Sequence, residues 1–312
     1  MRNLNLLGLA LMVLLLGCRE EPKETPTSGN LHIYVTESIA PILIRQINSF
    51  LSLYAQNGAN ITYTVVTSKE AKRHFLFDSS RIVFLPEQLT QEEKGKAKNI
   101  YGEINELIIG YDGIAVISNQ KNKVEGITTS EIKNIITNKL SRWEQLKGNK
   151  GFRGKIKLYI QKDSDVTEFL EKRFQLPQIN YANMDLTTTE SEIETARLVK
   201  DNINGLGFIP ISWLDSLKGD LKVLGIARTK EDTDTSFASA SNVIGQYFIP
   251  HPAYLFKNYY PLKRAIYMYT QGGAGLTAGF ASYVGSSEGQ KLLLEQGVLP
   301  GTQPIKLKES PY

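Results

Sequence analysis

Gly285-Ser286-Ser287-Glu288-Gly289 fits the pattern G-x-S-x-G, the tight turn that lifts a serine hydroxyl out of a sheet for nucleophilic attack. That chemistry needs a strand before the serine, a helix after it and a histidine later in the chain. The last of the three histidines is His251, so no base follows Ser287. Ser287 to Gln290 reads more simply as a capping box between two helical stretches; an enzyme acting through Ser287 would be labelled by a serine-directed phosphonate. Glycine-rich nucleotide loops, the dinucleotide fingerprint and H-E-x-x-H are absent from the sequence. One Cys and three His leave few ways to build a zinc site, and a single thiol excludes a disulfide framework. No cofactor, metal or catalytic group is expected.

Hydroxyls gather instead at three strand-to-helix junctions: Thr36-Glu37-Ser38, Ser164-Asp165-Val166-Thr167 and Thr187-Thr188-Thr189-Glu190-Ser191. A helix start offers free N–H groups and the positive end of the helix dipole, which together attract anions. The same residues also serve as plain N-caps. If the three junctions converge on one cleft, Thr36, Glu37, Ser38, Ser164, Asp165, Thr167, Thr188 and Ser191 are the candidate ligand-binding residues.

The elements that must position them follow from periodicity. Leu31 to Val35 alternates as a strand, and Ser38 to Tyr54 carries Ile39, Ile42, Leu43, Ile47, Phe50 and Leu51 at helical spacing. Ile61 to Val66 and Arg81 to Leu85 read as strands around a helix from Ser68 to Phe77, and Glu92 to Ile104 as a charged surface helix or loop. Gly113 to Ile117 is a strand, and Thr128 to Glu131 a capping box that opens a helix bearing Ile132, Ile135, Ile136 and Leu140. Ile156 to Ile160 runs as a strand into a short helix with Phe169, Leu170 and Phe174. A helix over about Glu190 to Ile203 precedes a strand at Gly205 to Ile209. A late strand alternates Arg264, Ile266 and Met268 with Ala265, Tyr267 and Tyr269, and helical sequence runs from Leu276 to Leu294. Strands alternating with helices predict an α/β fold with parallel sheets covered on both faces. The aromatic run from Tyr247 to Tyr269 reads as strand and core packing.

The 312 residues are 41% hydrophobic, 22% charged and 9% aromatic, the profile of a folded chain with room for two domains of about 100–200 residues. A net charge of +4, spread without a basic block, argues against nucleic acid. Met1-Arg2-Asn3 followed by an apolar run to Gly17 reads as an export signal (1–17), too short for the ~20 apolar residues of a spanning helix. Leu14-Leu15-Leu16-Gly17-Cys18 resembles a bacterial lipobox, which implies cleavage before Cys18 and acylation of its thiol. Acyl chains contribute ~0.8 kcal/mol per buried CH₂ and would hold the folded part on the outer side of a bacterial membrane, in the cell envelope. Residues 18–30 hold no apolar side chain after Cys18 and read as a flexible tether.

Several segments together resemble the phosphate-binding solute receptors of ABC-type phosphate importers, which are type II periplasmic binding proteins. They are Tyr111 to Asn119, Ile127 to Ile132 with Trp143 to Leu146, Asn204 to Ile209, Tyr260 to Arg264 with Ile266 to Thr270, and Ser287 to Lys291, in family order. The resemblance implies a divergent, non-enzymatic receptor of two α/β lobes joined by a two-strand hinge. Lobe I would comprise 31–110 plus 227–312 and lobe II 111–226, with crossing strands near Ile109 to Val116 and Leu221 to Ile226. It further implies a monomer that closes on phosphate or a related oxyanion and delivers it to an ABC permease. Thr36 and Ser38 match the first anion-contacting turn, Thr167 the second, and Thr188 and Ser191 lie in the third. Two arginines of the family pattern are replaced, by Gln161 and Glu87, and Asp165-Val166 stands where relatives carry Ser-Gly. Like charges 4 Å apart repel by ~4 kcal/mol at an effective dielectric of 20, so carboxylates at these places would weaken a dianion. The alternative is a sensor or interaction lipoprotein that keeps the fold with a different ligand or none.

Overall fold

The computed structural model describes residues 24–302 apart from 78–79, 177, 180–184, 218, 220 and 233–242. The signal at 1–17 and residues 18–23, Cys18 among them, lie outside the described residues; the flexible tether expected over 18–30 does not extend to 24–30, where Glu24 pairs with Arg81, Thr25 bridges Ser28 and a strand begins at Gly29.

β1 (Gly29–Thr36) leads through a 3₁₀ turn at Glu37–Ile39 into α1 (Ala40–Tyr54), which buries Ile42, Leu43, Ile47 and Phe50 along one stripe. β2 (Ala59–Val66) pairs parallel to β1, and α2 (Ser68–Phe77) leads to β3 (Ile82–Leu85). α3 (Gln91–Tyr101) is capped by Thr90 and Glu93 in a reciprocal box, which settles the Glu92 to Ile104 stretch as helix. β4 (Ile104–Asn119) is far longer than the strand expected at 113–117, because it serves both lobes.

β5 (Gly126–Thr128) gives way to α4 (Thr129–Ile136), opened by the Thr128–Glu131 box read from the sequence; the helix ends before Leu140. β6 (Lys157–Gln161), α5 (Asp165–Phe174), β7 (Leu186–Thr189), α6 (Glu192–Asp201) and β8 (Gly205–Pro210) follow, then the short α7 (Ile211–Leu214). β9 (Leu221–Val223), β10 (Gly225–Ala227), β11 (Tyr247–Phe248) and α8 (Pro252–Phe256) lead to β12 (Lys263–Gln271). α9 (Leu276–Gly285), α10 (Ser287–Glu295) and β13 (Leu299–Pro300) complete the described chain. Ser286 caps α10 by accepting from Gly289 N–H, so the cap lies one residue earlier than the Ser287 box expected. Ser287 is the first residue of that helix, with no strand before it.

The main sheet runs β3-β12-β4-β8-β6-β7, with β9 and β13 also on β4. It is mixed rather than parallel, because β4 is antiparallel to β12, β8, β9 and β13, while β6 is parallel to β7 and β8. Period-two alternation assigns its faces. In β12, Ile266 and Met268 enter the core of α1, α9 and α10, and Tyr269 enters the one against α2. In β4, Ile114 and Val116 face the core around Trp143 and Phe208, whereas Ala115 and Ile117 face the one beneath α6. Each lobe is thus a sheet covered on both sides.

β4 is one crossing between lobes: its first part pairs with β12 and its last residues with β8 and β9. The second crossing is displaced from the expected Leu221 to Ile226. β9 and β10 both pair within lobe II, and Leu255, Tyr260 and Leu262 belong to the lobe II core. The chain returns at Leu262-Lys263, where Ile114 N–H donates to Leu262 O at 2.9 Å and Lys263 pairs with Gly113. The described residues between 227 and 262 therefore pack with lobe II rather than lobe I.

Candidate functional site

The three junctions meet unequally. At the first, Thr36 Oγ1 donates to Phe84 O at 2.8 Å, tying β1 to β3, and the 3₁₀ turn swings Ser38 into the interior, where it is 4% exposed. At the second, β6 ends at Gln161 and Asp163 takes φ 53°, a left-handed conformation that Asp tolerates better than most residues. This bend brings Ser164 to the N-cap of α5. Ser164 Oγ accepts from Thr167 N–H and donates to Gln161 O, while Thr167 Oγ1 donates to Ser164 O at 2.7 Å. At the third, Ser191 caps α6 by accepting from Glu194 N–H at 3.2 Å, and Thr188 is exposed on β7.

Glu37, Ser38, Ser164 and Asp165 therefore line one interlobe cavity of about 40 Å³, together with Thr67, Ser68, Gln161, Lys162, Asp163 and Glu192. Thr36, Thr167, Thr188 and Ser191 do not line it; the first two spend their hydroxyls inside their own lobes. A larger hollow of about 860 Å³ lies on lobe II around Thr129, Arg173, Arg228 and Tyr247. It belongs to one lobe alone, whereas the small cavity gathers buried polar groups from both.

Arg264, which was not among the expected site residues, supplies the cation. It sits on β12 opposite Asp112 on β4 and binds that carboxylate bidentately, Nε to Oδ1 at 2.7 Å and Nη2 to Oδ2 at 3.2 Å, an arrangement stronger than a single neutral bond. Nη2 also donates to Ser38 Oγ at 3.3 Å, and Nη1 lies 3.4 Å from Asp165 Oδ1. Ser38 Oγ in turn donates to Asp165 Oδ2. The carboxylate of Asp165, from lobe II, is thus held by a hydroxyl and a guanidinium from the lobe I side. Gln161 Nε2 donates to Glu37 Oε2 at 2.9 Å, Trp213 Nε1 to Glu37 O, and Ser212 Oγ to Ser38 O, further stitching the lobes together.

Charge is crowded here. Burial drives the Asp112 carboxyl above its ordinary range despite Arg264. Burial also works to lower Arg264, but Asp112 and Asp165 outweigh it and hold the guanidinium charged. Glu192 is 1% exposed, and neither of its carboxyl oxygens has a hydrogen-bond partner. Burial, then the charges of Asp165 and Glu37, push its carboxyl well above the usual carboxylate range. Glu87 stays on the rim, paired with Lys72 and reaching Lys172 of α5 at 3.5 Å. The repulsion expected of it is therefore neutralised, and the carboxylate that occupies the cleft is that of Asp165. Among the described residues no group of three or more His, Cys, Asp or Glu is arranged to hold a metal ion.

The order of lobes, the interlobe cleft and the strand crossings have a counterpart in sequence. A model for a PBP superfamily domain matches residues 20–288. The chain belongs to the PBP superfamily. Its two-lobed architecture is the type II periplasmic-binding-protein fold expected from the sequence. Among solved structures, this PBP-superfamily chain superposes on an ABC-type phosphate transport receptor from Vibrio cholerae with a TM-score of 0.62. That match covers 87% of this chain and 99% of the other at 18% identity, which speaks for the fold alone. In sequence it is 25% identical over 203 residues to protein SphX of Synechococcus elongatus, covering 62% of this chain and 55% of that one. It is 26% identical over 120 residues to phosphate-binding protein PstS 2 of Streptococcus agalactiae, covering 38% of each. The matches span about half the length, or less, of these relatives. Among the described residues no helix is long and apolar enough to cross a membrane.

Arg264 had a legible signal: it alternates with Ile266 and Met268, so the strand period puts a guanidinium on a core-facing position. A buried arginine demands a carboxylate. Asp112 and Glu192 carried no comparable mark, since their burial depends on strand crossing and lobe contact.

Proposed function

We propose that the protein is an extracytoplasmic solute receptor, tethered to a bacterial membrane through Cys18, that captures phosphate or a related small oxyanion between its lobes for an ABC permease. The observation that carries this reading is the seat formed by Ser38 and Arg264 on the lobe I face of the cleft. A hydroxyl and a charged guanidinium there grip a carboxylate, and the groups that hold one oxyanion can hold another. The names of the sequence relatives and of the superposed receptor supply phosphate as the leading ligand. Closure by hinge motion about β4 and the return at Leu262-Lys263 is the conformational behaviour such a two-lobed fold supports.

Calorimetric titration of the purified protein with phosphate, then sulfate and other oxyanions, tests the reading. Saturable binding of at least one oxyanion is the expected result; a folded sample silent to all of them contradicts it. The second reading, a sensor or interaction lipoprotein, draws on one specific observation: the seat is already filled from within, by Asp165.

A further inference from the structure

Three buried or nearly buried carboxyl groups, Asp112, Asp165 and Glu192, surround the single guanidinium of Arg264. Asp112 is held by two parallel bonds along paired strands and belongs to the scaffold. Asp165 differs. It stands at the first residue of α5, reaches across the cleft, and places one oxygen on Ser38 Oγ and the other beside Arg264 Nη1. The Nη1 group makes no hydrogen bond, so its interaction with Asp165 is a charge contact without a directional bond.

The space left beside these groups is about 40 Å³, room for roughly three waters at ~10–15 Å³ each. A tetrahedral oxyanion seated on Ser38 and Arg264 would have to share them with Asp165. Its charge would join Asp165 and Asp112 around Arg264, with the unpaired Glu192 carboxyl on the same wall and Lys162 and Asp163 also lining the space. The carboxylates and the narrow space favour exchange over addition.

We propose that Asp165 is a tethered occupant of the anion seat and the residue that sets ligand affinity, so that an oxyanion binds only by displacing its carboxylate from Ser38 and Arg264. This inference rests on the oxyanion reading above. Because the competitor is part of the chain, its local concentration is fixed and high, and apparent affinity falls by the fraction of time the seat is open. The same factor applies to every oxyanion, so the latch lowers affinity for all of them and leaves their ranking to Ser38 and Arg264. It also joins the lobes when no ligand is present.

The test compares the purified full chain with Asp165→Asn and Asp165→Ser, titrating each with phosphate, sulfate and an ammonium and small-amine panel, with thermal unfolding to establish that each variant is folded. Two variants are used so that a folding failure in one leaves the other to be read. The expected result is phosphate binding at least about ten-fold tighter in the variants, a gain that corresponds to the seat being open a tenth of the time or less in the parent. Sulfate affinity should rise by the same factor, leaving the phosphate-to-sulfate ratio unchanged. Phosphate binding that is unchanged or weaker in folded variants, with the parent still binding, overturns the tethered-occupant proposal and leaves the oxyanion reading standing. Silence toward every oxyanion in parent and variants removes both. Binding of an ammonium or amine by the parent that disappears in Asp165→Asn also overturns the proposal, because Asp165 would then be a ligand-contacting carboxylate.

Discussion

Ser38 and Thr167 look equivalent in sequence, a hydroxyl near a helix start in each case, yet their surroundings separate them. Ser38 Oγ faces the cleft between Arg264 and Asp165, whereas Thr167 Oγ1 is consumed by Ser164 within α5. Ser38→Ala should therefore weaken oxyanion binding by ~1–2 kcal/mol, about one decade, with little change in melting temperature. Thr167→Ala should lower stability by a similar amount and leave affinity within two-fold. Calorimetry and thermal melts on the two variants check both statements. Glu192 offers a test in pH. Its carboxyl is raised in the folded protein, so the folded state holds a proton that the unfolded state has released above the ordinary Glu pKa of about 4.3. The stability this contributes is fully present below that pH and is lost as pH rises through the raised value. Glu192→Gln removes the dependence. The variant should melt higher than the parent at pH 8 by an amount that shrinks toward pH 4, read by melts across that range.

Gly113 lies where the two crossings touch, on β4 opposite Lys263. A Cβ there would come within 2.6 Å of Leu262 O and 3.1–3.2 Å of Ile211 and Tyr260 side-chain carbons. Backbone on one side leaves nothing free to rotate away, so Gly113→Ala should cost ~1–3 kcal/mol as an overpacking change, measured by urea unfolding. Elements of this kind were largely readable in advance. β1, α1, β2, α2 and β12 declare themselves through clean periods of 2 or 3.6, and the Thr128–Glu131 box marks the start of α4. Local pattern could not reveal that β4 runs for 16 residues, since its first half, Ile104 to Tyr111, has no clean period of two and pairs with β12 through backbone groups that carry no sequence signature. Nor could it place β10 in lobe II, because Gly225–Ala227 finds its partner in β5, about a hundred residues earlier.

The whole molecule turns on how the lobes meet. Glu37, Ser38 and Arg264 contribute from one side and Gln161, Asp165 and Trp213 from the other. The candidate site was half legible for that reason. The junctions at Glu37-Ser38 and Ser164-Asp165 announced themselves as hydroxyls and acids before helices. The cation and the buried Glu192 are products of tertiary approach. The replacement of a family arginine by Gln161 left the seat short of one charge in sequence, and the structure supplies Arg264 from a strand a hundred residues away. A crystal structure of the protein grown with phosphate or another bound oxyanion is the most direct test of the central claim. The account predicts the anion within hydrogen-bond distance of Ser38 Oγ and the Arg264 guanidinium, with the Asp165 carboxylate turned out of the seat. An oxyanion bound elsewhere while Asp165 remains on Ser38 and Arg264 would contradict it.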